Sequence, residues 1–243
     1  MPELPEVEIL VRQLARRLRG ARIHSIEVCD SKIRLTRTIV TRRIQRVRRR
    51  GKYIVFDLAG GLHLLVHLRM TGWFEFIEPK RYRVAIRTER GPVYFDDGRR
   101  LGVMQVLTRP QLQQVLSVLG PDPLVDGCDL SRLVRTSRAV KVALLDQHLV
   151  AGIGNIYASE SLWRARINPR RRTDRLRPAE LRALRHGIVT SMRKAIGYGP
   201  RIFELQKFAV YDREGERCRR CETRIRRIVQ AQRSTYFCPK CQS

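Results

Sequence analysis

Acidic side chains are scarce in this sequence. Its 243 residues hold 23 Asp and Glu against 50 Lys and Arg, a formal net charge of +27. That surplus is far beyond what solubility requires and implies a polyanionic partner, nucleic acid first. Lysine is scarce too, supplying 7 of the 50 cations. GC-rich coding drift explains arginine over lysine but not the surplus over acids. Charge alone does not choose among polyanions, so ribosomal and anionic-membrane partners stay open at this point. Long apolar runs are missing, which excludes a bilayer-spanning helix. The N-terminus lacks the basic-then-apolar order of a secretory signal, so a cytoplasmic protein is expected. Internal repeats and low-complexity tracts are also absent, and an apolar content of 43% suits one large domain or two modest ones.

Against that background the opening MPELPEVEIL is unusual, with Glu3, Glu6 and Glu8 but no cation. From Glu6 to Arg19, apolar Val7, Leu10, Val11, Leu14 and Leu18 recur at steps of three and four, so an amphipathic helix ending at Gly20 is expected. Pro5 suits its first position, and Glu6 and Glu8 in a first turn would complement the helix dipole. Pro2 and Glu3 lie ahead of that helix and are not explained by it. Residues 21 to about 107 carry short β-rich runs (IHSIEV, TRRIQRV, KYIVFDL, LHLLVHL, RVAIRT, PVYFDD) separated by turns, which reads as an antiparallel sandwich or barrel. Two prolines, two glycines and three aspartates mark 117–130 as a linker. Helical periodicity returns over 131–196, and a small cysteine-bearing hairpin follows from about 207.

Four of the six cysteines fall in the last 26 residues, as Cys218-x-x-Cys221 and Cys238-x-x-Cys241 with sixteen residues between the pairs. Such spacing sets four thiolates around one structural Zn²⁺ with no open position, and redox pairs rarely come duplicated on a terminal hairpin. Cys29 and Cys128 read as idle or buried thiols. The intervening RIRRIVQAQRSTYF suggests that the metal stiffens a basic loop for a phosphate backbone. In LLDQHLVAGIGNIYASE, Gly152 and Gly154 break the helical pattern just before Asn155. The turn is readable as a phosphate-binding helix N-terminus, as a tight helix-packing turn, or with Asn155 as a plain N-cap. Lys52 after Gly51 is readable as a surface cation at a strand start, Met70 and Trp73 in HLRMTGWF as core, and Arg99 and Arg100 in FDDGRRLG as a solvated turn. Pro2 has a chemical reading: removal of Met1 would leave a secondary amine of pKa ~8, partly neutral and nucleophilic, with Glu3 beside it to move protons.

Taken together, PELPEVE, RRGKYIVFDL, HLRMTGWF, KVALLDQHLVAGIGNIYASE and QRSTYFCPKCQ resemble, in order and from end to end, the formamidopyrimidine-DNA glycosylase and endonuclease VIII family of base-excision repair enzymes. The PELPE opening resembles the formamidopyrimidine branch more. The resemblance implies an α+β fold: an N-terminal antiparallel β-sandwich with a leading helix (2–116), a linker (117–130), a helix–two-turn–helix domain (131–206) and a zinc finger (207–243). It implies that Pro2 forms a Schiff base with C1′ of the damaged nucleotide, that Glu3 acts as general acid, and that Lys52 contacts phosphate and assists. Asn155 and Arg233 would clamp the phosphates flanking the lesion, and Lys141 would contact DNA. Met70, Arg99 and Leu101 would fill the gap left by an extruded nucleotide, Leu101 standing where the family usually has phenylalanine. Expected partners and cofactors are damaged double-stranded DNA, one structural zinc held by Cys218, Cys221, Cys238 and Cys241, and no membrane. A monomeric, nucleoid-associated bacterial enzyme is implied, releasing the base and then cleaving the strand by β,δ-elimination. A silent binder of damaged DNA would share the charge and the zinc but need neither Pro2 nor Glu3, and a zinc-ribbon RNA or ribosome factor leaves PELPEVE unexplained. The path from Ser191 to Cys218 reads shorter than in members that prefer 8-oxoguanine. Ring-opened purines are therefore expected to be cut best, 8-oxoguanine less well, and some oxidised pyrimidines accepted.

Overall fold

The computed structural model describes residues 1–125 and 127–242. Asp126 of the expected linker and Ser243 of the expected zinc finger lie outside the described residues. The chain forms two compact units: one holds Met1–Pro2 and Glu6–Val118, the other Glu3–Pro5 and Leu119–Ser243.

In the first unit, helix α1 (Leu4–Leu18) buries the predicted stripe, with Val7, Leu10, Leu14 and Leu18 at 0% exposure. Each such burial contributes about 1.5–3 kcal/mol, and truncating Leu10 to Ala would cost about 2–5 kcal/mol. The helix starts earlier than periodicity indicated, which moves Glu8 out of the first turn. Glu8 instead pairs with Arg12 and Arg49, both at 2.9 Å, and Glu6 is buried. Two four-stranded antiparallel sheets follow. One has the order β1 (Ile23–Val28), β6 (Val84–Thr88), β7 (Gly91–Asp96), β5 (Trp73–Glu75). The other runs β2 (Ile44–Arg50), β3 (Tyr53–Leu58), β4 (Leu62–His67), β8 (Val103–Thr108). Period-two alternation sends Ile54, Phe56 and Leu58 of β3 into a core shared with Leu64, Val66, Phe74, Ile86, Phe95 and Val106. The intervening Val55 points the other way and packs with Leu65 under Leu112 of α2 (Arg109–Ser117). Strands β5 and β8 and helix α2 lay within segments too short or too polar to stand out by pattern alone.

The second unit takes up the chain again at Leu119, so residues 119–125 and 127–130 belong here: the Gly120 N–H donates to the Gln147 carbonyl at 2.8 Å, and Asp122 and Cys128 are buried. Helices α3 (Val140–Leu145) and α4 (Asn155–Ala165) are joined by two turns through buried Val150–Gly154. Helix α5 (Pro178–Gly197) starts with Pro at its first position, and the Glu180 carboxylate accepts the Arg177 N–H at 2.8 Å. It crosses α4 closely at Gly187, where a Cβ would sit 2.7 Å from the Ser161 carbonyl oxygen. A short helix α6 (Ile202–Leu205) leads to the hairpin of β9 (Arg226–Gln230) and β10 (Arg233–Phe237). Among the described residues no helix is long and apolar enough to cross a membrane.

Candidate active site

Glu3 is 2% exposed, and its carboxylate accepts the backbone N–H groups of Gly154 (2.8 Å), Ile156 (2.9 Å) and Tyr157 (3.2 Å). These are donors that the first turn of α4 leaves without intrahelical acceptors, at the positive end of its dipole. The Leu4 N–H donates to the Gly152 carbonyl at 3.1 Å, pinning the same segment twice. The glycines are required by this approach. A Cβ on Gly154 would lie 2.3 Å from Glu3 Cδ, and one on Gly152, at φ 91°, would lie 2.5 Å from Leu4 Cδ1. The helix N-terminus that one reading of the sequence offered to a phosphate has three of its N–H donors taken by the chain's own Glu3. Gly154, not Asn155, is the N-cap.

Asn155, freed from capping, donates from Nδ2 to the Ser234 carbonyl at 2.9 Å and so ties α4 to β10 beside Arg233. Arg233 is exposed at the start of β10, after the two-residue turn Ala231–Gln232, whose φ angles of 46° and 59° are both left-handed. Such a turn matches strand twist but favours Asn or Gly, so this hairpin tip is strained next to Arg233. Lys141 differs from a surface contact. It is fully buried on α3, and its ammonium has no hydrogen-bond partner among the described residues. Burial, then the positive charge of Arg233, push its pKa down to about 8, with Glu3 opposing.

The Sγ atoms of Cys218, Cys221, Cys238 and Cys241 all lie within 4.8 Å of one another. Tetrahedral Zn–S bonds of about 2.3 Å place sulfurs about 3.8 Å apart, so four thiolates here fit one structural zinc with no ligand position left for substrate. Trp163 Nε1 donates to Cys218 Sγ at 3.5 Å. Gln242 was not singled out from sequence, yet it is fully buried. Its Oε1 accepts the Cys238 N–H at 2.9 Å and its Nε2 donates to the Ile167 carbonyl at 3.0 Å, which docks the second cysteine turn on the loop after α4. Glu160 was missed too: its carboxylate accepts the N–H groups of Ala209, Val210 and Tyr211, fixing the segment between α6 and the hairpin.

The first unit carries the remaining expected residues. Lys52, 8% exposed, sits in the two-residue turn joining β2 and β3, where Gly51 has φ 57°. Met70 is half-buried in the turn after β4, while Arg99 and Leu101 are exposed in the loop between β7 and β8. His67 is an unforeseen member. Its Nδ1 accepts the Arg69 N–H at 3.0 Å, bracing the turn that carries Met70. Burial, then Arg69 and Lys52, lower its pKa to about 4, so the ring stays neutral and able to accept.

A β-sandwich with a leading helix, a helix–two-turn–helix segment and a four-cysteine hairpin define a class of zinc-finger proteins whose first residues reach the helical unit. Three family models match in succession: the formamidopyrimidine-DNA glycosylase N-terminal domain over residues 1–104, its H2TH domain over 119–206, and the zinc finger found in FPG and IleRS over 215–243. The formamidopyrimidine-DNA glycosylase of Chloroflexus aurantiacus is 40% identical over 271 aligned positions, which take in 100% of this chain and 98% of that one. The Lactococcus lactis formamidopyrimidine-DNA glycosylase, solved bound non-covalently to DNA containing an AP site, superposes with a TM-score of 0.91 at 31% identity, covering 99% of each chain. A complex of the L. lactis protein with DNA containing FAPY-dG gives 0.89 at 31%, covering 99% of this chain and 100% of that one. The chain belongs to the formamidopyrimidine-DNA glycosylase family.

Proposed function

We propose that this protein is a DNA glycosylase of base-excision repair that removes oxidised purines from double-stranded DNA and then cleaves the abasic strand as a lyase. The observation that carries the reading is the fixation of Glu3 by three backbone N–H groups, which holds a carboxylate one residue from Pro2. A structural anchor alone would not require the residue before it to be proline. After Met1 is removed, the Pro2 nitrogen attacks C1′, the bond from C1′ to the base breaks and the base leaves with a proton; the C1′–O4′ bond then breaks, O4′ taking a proton as the sugar ring opens and C1′ becomes doubly bonded to the nitrogen. Because the nitrogen is secondary, the resulting iminium has no N–H to lose and remains cationic, drawing electrons from C2′. Loss of the C2′ proton expels the 3′ phosphate, loss of the C4′ proton then expels the 5′ phosphate, and hydrolysis returns Pro2. Glu3 carries protons in these steps.

Lys52, Asn155 and Arg233 hold phosphates around the lesion, and Lys141 offers its buried ammonium to an electronegative atom of the nucleotide. Met70, Arg99 and Leu101 occupy the space vacated in the stack. The zinc holds the hairpin that presents Arg233 and takes no part in the bond-breaking steps. The active species is a monomer on one duplex.

Borohydride trapping on a lesion-bearing duplex tests this reading. A covalent adduct whose mass maps to Pro2, absent when Met1 is retained, is expected, together with product ends bearing both 3′ and 5′ phosphates. Release of those ends with no trappable adduct would remove the iminium.

A further inference from the structure

Asp97 follows β7, is 2% exposed, and joins both loops that carry Met70, Arg99 and Leu101. Its Oδ1 accepts the Thr71 hydroxyl at 2.5 Å, and the same Thr71 Oγ1 accepts the Arg99 N–H at 3.2 Å. Its Oδ2 accepts the Gly102 N–H at 2.6 Å and Arg83 Nη1 at 2.9 Å. Arg83, on the other side, is buried between two carboxylates: Nε donates to Asp30 at 2.5 Å, and Nη1 also reaches the Gly102 carbonyl at 2.8 Å. Arg100 closes on Asp30 from the loop itself, with a left-handed φ of 54°. Gly102 admits no side chain, since a Cβ there would lie 2.6 Å from Phe95 Cζ.

A buried charge network of this kind is weak evidence of stability, because desolvation offsets most of the attraction. What it provides is one geometry for everything attached to it. Here the attachments are Thr71, next to Met70, and the backbone on both sides of Arg99 and Leu101. Leu101 is 49% exposed and Arg99 is exposed, so two solvent-facing side chains stand on a hydrogen-bonded base.

We propose that Asp97, oriented by Arg83, is a positioning residue that sets the separation of Met70 from Arg99 and Leu101 before DNA is bound. The inference rests on the reading of those three residues as the group that fills the vacated stack. Pre-setting their spacing lowers the cost of opening a duplex and does nothing for a strand that has no stack to open.

The test compares single-turnover excision from a lesion-bearing duplex with cleavage at an abasic site in single-stranded DNA. Thr71→Val removes the hydroxyl bridge and should slow duplex excision on the order of tenfold, the usual loss for a hydrogen bond to a buried charge, while single-strand cleavage keeps the parent rate. Thr71→Ser, which keeps the hydroxyl, should restore the duplex rate. Asp97→Asn should act in the same direction and more strongly. Equal slowing on both substrates, no slowing, or failure of Thr71→Ser to restore the rate would overturn the proposal. Met70→Ala separates the two layers: if it slows duplex excision and Thr71→Val does not, only the positioning role fails. If Met70→Ala is itself without effect, the stack-filling reading fails and this inference goes with it.

Discussion

Glu3 and Gly154 are built around each other: the glycine N–H donates to Glu3 Oε2 at 2.8 Å, and no side chain fits between them. Gly154 has φ −129° and ψ −161°, which any residue adopts, so Gly154→Ala is not opposed by the backbone. Its methyl group would instead fall 2.3 Å from Glu3 Cδ and must displace the carboxylate. The expected result is a folded protein with melting behaviour close to the parent and a lyase rate reduced at least about 100-fold, the scale of loss for a misplaced reactive group. Unchanged trapping at Pro2 in this variant would show that the position of Glu3 is not what organises the chemistry.

The zinc hairpin separates support from contact. Cys238→Ser should release the metal and, because the Cys238 N–H is also held by Gln242, loosen the docking of the hairpin on the Ile167 carbonyl. Arg233→Ala should retain the metal, weaken binding and lower the slope of log K against log salt by about one, as for one lost phosphate contact. Metal content and salt-dependent binding measured on both variants check this. A metal-free protein with normal affinity would contradict it.

His67 predicts a pH dependence of stability. Its folded pKa of about 4 lies below the ordinary 6.5, so between those values the unfolded chain binds the proton and the folded one does not. Stability from this group is therefore full above about 6.5, falls as pH drops toward 4, and is flat below, a change of up to about 3 kcal/mol. Urea unfolding of the parent and of His67→Gln at pH 7.5 and 4.5 should show the variant losing less. Identical losses would assign the acid sensitivity to other groups.

The alignment to the C. aurantiacus relative runs to 271 positions against this chain's 243 residues, so that relative carries segments without a counterpart here. Between α5 and the hairpin the described residues form a 3-10 turn (Gly199–Arg201), α6 and a segment held by Glu160. Few backbone groups are then free to read the edge of an extruded purine. Single-turnover rates should be highest on ring-opened purines, lower on 8-oxoguanine, and measurable on thymine glycol. An 8-oxoguanine rate far above the others would reverse this order.

Much of this was legible because it rests on local rules. The stripe from Val7 to Leu18, the alternation in β3 and the paired cysteines each follow from periodicity or ligand spacing within a short window. The long-range partners were not. Nothing in the GIGN turn says that its anion is Glu3, some 150 residues away, and nothing in CPKCQ says that Gln242 is buried against Ile167. Nor does any short window show that Asp97 and Arg83 are buried together, because their partners, Asp30, Thr71 and Gly102, come from distant segments.

Lys141 tests the cost of holding a charge ready. Its ammonium is buried without a hydrogen-bond partner among the described residues, and its pKa is lowered from 10.5 to about 8. Below about pH 8 both folded and unfolded chains carry the proton and the burial penalty is constant. Between about 8 and 10.5 the folded chain releases a proton that the unfolded chain keeps, so stability rises with pH across that window. Lys141→Met fills the same space without the charge. It should stabilise the protein at pH 7 by roughly 1–3 kcal/mol, remove the rise above pH 8, and weaken binding to lesion-bearing DNA. Such a trade would show that the ammonium awaits an anionic or electronegative group of the nucleotide. A variant that is less stable than the parent, or that binds DNA equally well, would instead make Lys141 a structural residue whose charge already has a partner.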